Sequence, residues 1–385
     1  MSDPLRIGIV CYPKAGGSGI VATELGIELA RRGHEIHFIS SARPYRLSER
    51  HDGLHMHLVE TADYPLFDYP PYTLALAVKM HQVAHFHNLD LFHVHYAIPH
   101  AASAVLARDM CKRCIPVVTT LHGTDITLVG KHPSYHRITR YCIESSDAVT
   151  SVSDWLTSET RRIFETDKSI QTIPNFVDTE CFRPGCDMEM RRRFAKDDEV
   201  ILLHASNFRP VKRAPFLLEV FNRLKERDKT VLVLAGDGPE LASMEHQVRE
   251  MGIEDRVRFL GAWDDMESLL PQADVFMVPS AHESFGLAPL EAMSCGVPVL
   301  VTNVGGPAEV LNSGEGGELL DPEDLDAWVA ACDRLVADKD LRRAQGKAGR
   351  DRVLELFARG KVVDRYEVLF RSLMEVKAKA PEVAP

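Results

Sequence analysis

The sequence lacks any hydrophobic run of the length that a membrane helix needs, and its beginning lacks the pattern of a secretory signal. A membrane helix takes roughly 18 or more consecutive apolar residues, whereas the longest apolar runs here, 231–235 and 297–301, have the length of buried strands. The first residues contain no basic segment followed by a long apolar core, so no signal peptide is predicted. Cytoplasm is therefore the expected compartment.

Cysteine is scarce, and acidic residues outnumber basic ones. The 8 cysteines include one close pair, Cys111 and Cys114, in the C-x-x-C spacing of zinc and redox sites. A structural zinc site needs more ligands than one such pair supplies, so ordinary cysteines are favoured. The net charge of −11 argues against general nucleic-acid binding. If the substrates are anionic, a local cluster of cations must overcome this field.

Strand and helix signals alternate along the 385 residues, a length that predicts two domains. Alternation of this kind predicts parallel sheets joined by crossover helices. We predict two Rossmann-like doubly wound α/β domains, 1–176 and 177–359, facing each other across a cleft. A C-terminal helix at about 360–377 is expected to pack back on the first domain. Because ligands bind outside the carboxyl ends of parallel strands, one substrate per domain is expected.

The strongest motif is the segment Glu283-Ser-Phe-Gly-Leu-Ala-Pro-Leu-Glu291, which follows a predicted strand at 275–279. Gly286 lets the backbone approach a ligand closely, and the helix that follows presents N–H groups that suit phosphate. Glu283 and Glu291 can accept hydrogen bonds from the hydroxyl groups of two sugar rings, with the phosphate of the same ligand lying between them. The alternative makes Glu283 a helix-terminus charge and Glu291 a surface residue.

A basic segment, Ser206-Asn-Phe-Arg-Pro-Val-Lys-Arg213, follows the first strand of the second half. Its cations Arg209, Lys212 and Arg213 offer point charge and bidentate contacts to a diphosphate. Negative charge grows on a departing diphosphate, so these cations would act most strongly in the transition state. The alternative is a solvated basic turn.

Two segments of the first half also follow predicted strands. Gly16-Gly-Ser-Gly19 departs from G-x-G-x-x-G, so a nicotinamide site is poorly supported, but the N–H groups of such a turn bind anions and Ser18 adds a hydroxyl. Leu121-His-Gly-Thr-Asp125 places His122 at a carboxyl end, where it is either functional or structural. Asp125 is expected to cap a helix or to orient His122.

Taken together, these motifs resemble glycosyltransferase family 4 over essentially the whole chain, with A-M-x-C-G-V-P-V after Glu291 and with Gly236-Asp-Gly-Pro-Glu240 and Asn303-Val-Gly-Gly306. The resemblance implies the GT-B fold and retention of anomeric configuration. It implies that Glu283 contacts the transferred sugar and Glu291 the uridine ribose. The implied catalytic residues are His122, Glu283, Arg209 and Lys212, and the implied donor-binding residues are Gly17, Asn207, Arg213, Phe285, Gly286, Leu287 and Glu291. Asn207 stands where many members have arginine, and whether Arg209 takes that role is left open.

The first half is similar to one branch of that family through Cys11-Tyr-Pro, Phe67-Asp-Tyr-Pro-Pro-Tyr72 and His93-Val-His-Tyr-Ala-Ile-Pro-His100. This resemblance implies transfer of N-acetylglucosamine from UDP-N-acetylglucosamine to the hydroxyl of L-malate, the first step of bacillithiol biosynthesis. Malate is a small dianion, so its site needs hydrogen-bond donors and a cation. The expected acceptor-binding residues are Ser18, Tyr96, Thr120 and Arg140. Each also has a structural interpretation, such as a core aromatic for Tyr96 or a solvated helix face for Arg140.

The implied reaction needs no metal and no other cofactor. No D-x-D motif appears near a candidate site, and Arg209 and Lys212 can supply the positive charge. Three alternatives stay open: a family member with another small acceptor such as an inositol phosphate, a UDP-N-acetylglucosamine epimerase or hydrolase, and a binding module without turnover. No nucleic-acid or integral membrane partner is expected, and a homodimer is one option for the oligomeric state.

Overall fold

The computed structural model describes residues 3–14, 16–47, 52–62, 68–111, 114–311 and 314–379. The chain divides into two units, the first formed by Met1–Asn175 and Arg359–Pro385 and the second by Phe176–Ala358. Each unit contains a parallel sheet with helices between its strands, so the predicted α/β class is confirmed. Among the described residues, no helix is both long and apolar enough to cross a membrane.

The first unit is built on a sheet of seven parallel strands in the order β3-β2-β1-β4-β5-β6-β7. Its strands are β1 (Arg6–Val10), β2 (Glu35–Ser40), β3 (Leu54–Leu58), β4 (Leu91–His95), β5 (Val117–Leu121), β6 (Ala148–Ser151) and β7 (Ile170–Thr172). Its helices are α1 (Gly17–Arg31), α2 (Tyr72–His87), α3 (Ala102–Met110), α4 (Pro133–Ser145), α5 (Asp154–Phe164) and a C-terminal helix (Arg359–Lys379), with short helical turns at Ala97–Ala101 and Thr124–Leu128.

The second unit has a sheet of six parallel strands in the order β10-β9-β8-β11-β12-β13. Its strands are β8 (Val200–Ala205), β9 (Thr230–Ala235), β10 (Val257–Gly261), β11 (Val275–Val278), β12 (Val299–Thr302) and β13 (Gly317–Leu320). Its helices are α6 (Met188–Arg192), α7 (Ala214–Asn222), α8 (Leu241–Met251), α9 (Met266–Leu269), α10 (Leu287–Ser294), α11 (Pro307–Val310), α12 (Leu325–Ala337) and α13 (Lys339–Leu356).

The inner strands are buried on both faces because helices cover both sides of each sheet. Every residue of β4, β5 and β9 is buried. The edge strands β3 and β13 give no continuous apolar run, since β3 alternates with histidine and β13 begins with glycine. Gly317 is required there, because a Cβ atom at this position would lie 1.8 Å from the carbonyl oxygen of Val299.

The C-terminal helix is anchored to the first unit by both apolar and ionic contacts. The rings of Tyr366 and Phe370 each lie 5.3 Å from the ring of His93 on β4. At the surface, Arg32 makes ion pairs with Asp364 and Glu367. Two buried aromatic rings stabilise this docking more than the ion pairs do, because exposed pairs contribute only about 0–1 kcal/mol.

Candidate functional site

The acidic segment of the second unit follows β11 and is held by close backbone contacts. The carbonyl oxygen of Glu283 accepts a hydrogen bond from the N–H of Gly306 at 2.9 Å. A Cβ atom at Gly305 would lie 1.9 Å from the Glu283 oxygen, and one at Gly306 would lie 2.1 Å from that of Ser284. Glycine is therefore needed in the Asn303–Gly306 segment because the two loops pack backbone against backbone.

Lys212 and Glu283, predicted from separate motifs, are in direct contact. The Nζ atom of Lys212 lies 2.9 and 3.1 Å from the two carboxylate oxygens of Glu283, and both side chains are partly exposed. The backbone supports the pair, since the N–H of Ala281 donates to the carbonyl oxygen of Val211 at 2.8 Å. The loops after β8 and β11 thus bring opposite charges together at the carboxyl ends of neighbouring strands.

The other residues of the basic segment point in different directions. Arg213 donates to the carbonyl oxygen of Pro322 at 2.6 Å and pairs with Glu323 at 2.9 Å, and its guanidinium lies over the ring of Phe216. Arg209 and Asn207 are exposed. Of the three predicted cations, Lys212 is therefore the one that contacts the predicted sugar-binding carboxylate, and Arg213 is occupied by the loop before α12.

The remaining donor-site predictions lie around the start of α10. Gly286 has a φ of 102°, which favours glycine, and it precedes the first helical residue, Leu287. Phe285 is buried with its ring 5.9 Å from that of Phe357. Glu291 is only 8% exposed, so it is not a surface residue. A second carboxylate is thus held in the interior, in the second turn of α10.

In the first unit, the structure brings Ser18 and Tyr96 together. The Ser18 hydroxyl donates to the Tyr96 hydroxyl at 2.9 Å. Gly17 is the first residue of α1, and a Cβ atom at Gly19 would lie 2.7 Å from the carbonyl oxygen of Tyr12, so this turn needs glycine. Burial raises the pKa of Tyr96 to about 12, which keeps its hydroxyl protonated and able to donate.

His122 lies on the loop after β5 and bonds to a second histidine. Its Nε2 atom is 2.8 Å from Nδ1 of His95. Burial, followed by the charge of His100, lowers the pKa of His122 to about 3, so its ring is neutral near pH 7. Asp125 holds the loop by accepting hydrogen bonds from the backbone N–H groups of His122, Gly123 and Ala97 at 3.2, 3.0 and 2.9 Å. It therefore positions His122 through the backbone.

Thr120 joins Tyr96 through the backbone, since the N–H of Tyr96 donates to the carbonyl oxygen of Thr120 at 2.9 Å, whereas the side chains of Thr120 and Arg140 have other partners. Thr120 is fully buried, and its hydroxyl lies 2.7 Å from both His93 and Thr150. Arg140 lies on α4 and pairs with Glu144 at 2.8 Å, with 42% of its side chain exposed. The Thr120 side chain thus faces the interior and the Arg140 side chain faces solvent, and their contacts with an acceptor stay predictions.

A cavity of about 470 Å³ in the first unit is lined by residues from several elements. Its wall includes Tyr96 and Asp125, together with Tyr12, Ile98 and Pro99 from segments that the resemblance already marked. The sequence analysis did not single out the other apolar residues of the wall, which are Ala102, Val129, Tyr135 and Ile138. The sequence signal for these four is weak, since partly exposed apolar residues are common on protein surfaces.

Comparison with known proteins identifies the family. Residues 15–181 match the model described as Glycosyltransferase Family 4, and residues 187–352 match the model described as Glycosyl transferases group 1. The chain is 44% identical over 371 residues to the N-acetyl-alpha-D-glucosaminyl L-malate synthase of Bacillus anthracis, covering 96% of this chain and 97% of that protein. It is 26% identical over 402 residues to the D-inositol 3-phosphate glycosyltransferase of Saccharomonospora viridis, covering 96% and 92%.

Solved structures agree on the fold. The sucrose-phosphate synthase from Thermosynechococcus elongatus has a TM-score of 0.84 and 23% identity, covering 97% of this chain and 100% of that chain. The predicted family and GT-B architecture are confirmed. The chain therefore belongs to glycosyltransferase family 4, as a GT-B glycosyltransferase related over 96% of its residues to N-acetyl-alpha-D-glucosaminyl L-malate synthase.

Proposed function

We propose that the protein transfers N-acetylglucosamine from UDP-N-acetylglucosamine to the hydroxyl of L-malate, with retention of configuration at the anomeric carbon. The observation that carries this proposal is the 44% identity to a malate synthase of this kind over nearly the whole of both chains. The geometry is compatible with it, because the second unit offers paired charges and the first offers neutral donors for a small acceptor.

The second unit would hold the donor. Glu283 and Glu291 accept hydrogen bonds from hydroxyl groups of the transferred sugar and of the ribose. Lys212, which pairs with Glu283 at 2.9 Å, would turn toward the diphosphate when sugar hydroxyls satisfy that carboxylate. Arg209 is exposed at the same loop and supplies a second cation. Both cations stabilise the charge that grows on the departing UDP.

Transfer with retention would proceed on one face of the sugar. The malate hydroxyl attacks the anomeric carbon from the side on which UDP departs, and the departing phosphate oxygen takes the hydroxyl proton. His122 is neutral, so it serves as a hydrogen-bonding partner to the sugar and not as a cationic acid. No enzyme nucleophile is required, since Glu283 is engaged in binding. The two-carboxylate scheme of glycoside hydrolases does not apply.

The acceptor would bind at the start of α1. The first intrahelical bond of α1 runs from the N–H of Ile20 to the carbonyl oxygen of Gly16, so the preceding N–H groups are directed out of the helix end. Together with the hydroxyl groups of Ser18 and Tyr96, they form a neutral set of donors for a carboxylate. This assignment keeps two of the four expected acceptor residues and replaces Thr120 and Arg140 by backbone donors.

The test is product analysis by mass spectrometry. Each reaction contains the protein, UDP-N-acetylglucosamine and one acceptor, which is L-malate, D-malate, succinate or an inositol phosphate. Every reaction is run with and without EDTA, and one reaction contains no acceptor. We expect an N-acetylglucosaminyl malate product of α configuration by NMR, formed equally well with EDTA. A product formed with inositol phosphate but not with malate, or release of free sugar without any acceptor, would overturn the assignment. Loss of activity in EDTA that magnesium restores would contradict the metal-free reaction.

A further inference from the structure

Histidines from three elements meet at the edge of the sheet of the first unit. His37 lies on β2, His55 and His57 lie on the edge strand β3, and His87 is the last residue of α2. A crossover helix returns to the amino ends of the strands, so the end of α2 lies opposite to the carboxyl ends that carry Ser18 and His122. The proposed transfer reaction makes no use of this cluster.

The rings of three of these histidines, His37, His57 and His87, lie close to one another. The ring of His37 lies 5.2 Å from that of His57 and 4.5 Å from that of His87, and His57 and His87 are 5.0 Å apart. Each offers one ring nitrogen, and these atoms all lie within 4.8 Å of one another. Ligand nitrogens of a tetrahedral zinc ion are about 3.3 Å apart, for bonds of about 2.0–2.1 Å. Small side-chain shifts would therefore complete the geometry.

Glu35 gives His37 the hydrogen-bonding partner that metal-bound histidines usually have. The Nε2 atom of His37 lies 3.2 Å from Oε1 of Glu35, while its Nδ1 atom lies 2.9 Å from Nε2 of His57. A carboxylate that accepts the Nε2–H hydrogen bond leaves the lone pair on Nδ1, which faces Nε2 of His57. His55 also contacts Glu35, at 3.3 Å, on the side away from that lone pair.

The chemistry of the three side chains indicates which ions would fit. Imidazole binds a metal ion in its neutral form, through the lone pair of one ring nitrogen. Three imidazoles favour late first-row ions, whereas magnesium and calcium prefer oxygen ligands.

We propose that His37, His57 and His87 form a binding site for a late first-row divalent ion such as Zn²⁺, with Glu35 orienting His37 and water in the fourth position. The ion would join the edge strand β3 to β2 and to the end of α2. β3 is hydrogen-bonded to the sheet on one side only, so such a cross-link stabilises an edge strand of the first unit. The site is structural and supplies no step of the transfer reaction.

The experiment uses the full chain without a histidine tag, stripped of metal by a chelator and titrated with Zn²⁺ or Co²⁺ by calorimetry. We expect one equivalent to bind, a rise in the thermal midpoint with Zn²⁺, and a tetrahedral Co²⁺ spectrum without thiolate charge-transfer absorption. His57→Ala and His87→Ala should each abolish stoichiometric binding. Glu35→Gln should weaken binding by about 10- to 100-fold, as expected for a group that orients a ligand.

His246→Ala is the matched control, because His246 is an exposed histidine of α8 in the second unit and pairs with Glu250. It should leave binding unchanged. Thermal unfolding of each metal-free variant checks its fold, and the two histidine variants on different elements guard against one of them misfolding. Absence of binding to the unmodified protein, binding that survives both variants, or a thiolate band from Cys111, which lies 3.5 Å from His81, would overturn the proposal.

Discussion

The two units share a sheet topology but present different chemistry at corresponding sheet edges. In the second unit, the loops after β8 and β11 bring Lys212 and Glu283 into an ion pair at 2.9 Å. In the first unit, the loops present neutral groups: Ser18 bonds to Tyr96, and His122 bonds to His95. The doubly wound sheet thus determines where a site lies, and the side chains at the strand ends determine whether that site offers a cation to a leaving group or neutral hydrogen-bond donors to an acceptor.

Removing the Lys212 cation from the second unit is expected to have the largest effect on the transfer reaction. Lys212→Met should lower kcat by about 100- to 1,000-fold, because the cation is worth most when charge grows on the leaving group. Initial rates of product formation by mass spectrometry measure this effect. Lys225→Met is the control, since Lys225 is 85% exposed in the same unit. A fall in kcat of less than tenfold would show that Lys212 does not serve the transition state.

Acid should distinguish the units by stability. In the first unit, His93, His95 and His100 are buried, and burial lowers the pKa of His93 to about 3 and that of His100 to about 4. Between pH 6.5 and those values the unfolded chain binds protons that the folded unit does not. Stability is therefore lost as pH falls below 6.5, by about 1.4 kcal/mol per buried histidine at pH 5.5.

Further groups change how much more stability the first unit loses at acid pH than the second. Burial raises the pKa of Asp125 to about 6, so this carboxyl partly offsets the loss by binding a proton in the folded state. In the described part of the second unit, His204 is the buried histidine, with its pKa lowered to about 4. His37, His57 and His122 of the first unit, whose pKa values are lowered in the same way, add to its loss. The first unit should thus lose several kcal/mol more than the second.

Urea unfolding at pH 7.5 and 5.5 measures the loss of unfolding free energy of each unit, followed by the fluorescence of variants that retain either Trp155 or Trp328. Equal losses in the two units would contradict this prediction.

Loss of a single hydroxyl should sharpen the assignment of the acceptor to the first unit. Tyr96→Phe should raise the KM for malate about tenfold with little change in kcat, because one hydrogen bond to a charged group is worth about 1.5–3 kcal/mol and water replaces part of it. Steady-state kinetics with varied malate give both constants. Tyr141→Phe, on the exposed side of α4, should have no effect. An unchanged KM in Tyr96→Phe would remove that residue from the acceptor site.

The smallest effect is expected from Arg140, the cation expected from the sequence to bind the acceptor. It is 42% exposed and paired with Glu144, and such pairs contribute about 0–1 kcal/mol. Arg140→Ala should therefore leave the KM for malate within about twofold and the urea midpoint nearly unchanged. A tenfold rise in KM would mean that the side chain leaves Glu144 to bind malate, as the sequence-based expectation requires.

Local sequence signals predicted most of the fold. Helices α8 and α10 begin and end where their apolar spacing and flanking glycines indicate, because capping and periodicity are properties of neighbouring residues. The edge strands β3 and β13 carry no such local signal, because histidine and glycine interrupt their apolar pattern. Pairing with β2 and β12 makes these segments strands, and that pairing depends on residues distant in the chain.

The candidate site divides in the same way. By itself the sequence determined which segments follow parallel strands, and so selected Glu283, Lys212, His122 and Ser18 as groups at the carboxyl ends. Tertiary structure alone decided which of these side chains meet, since Arg213 turns to the loop before α12 while Lys212 turns to Glu283. It also assembled His37, His57 and His87, because residues so far apart in the chain carry no local signal of their proximity.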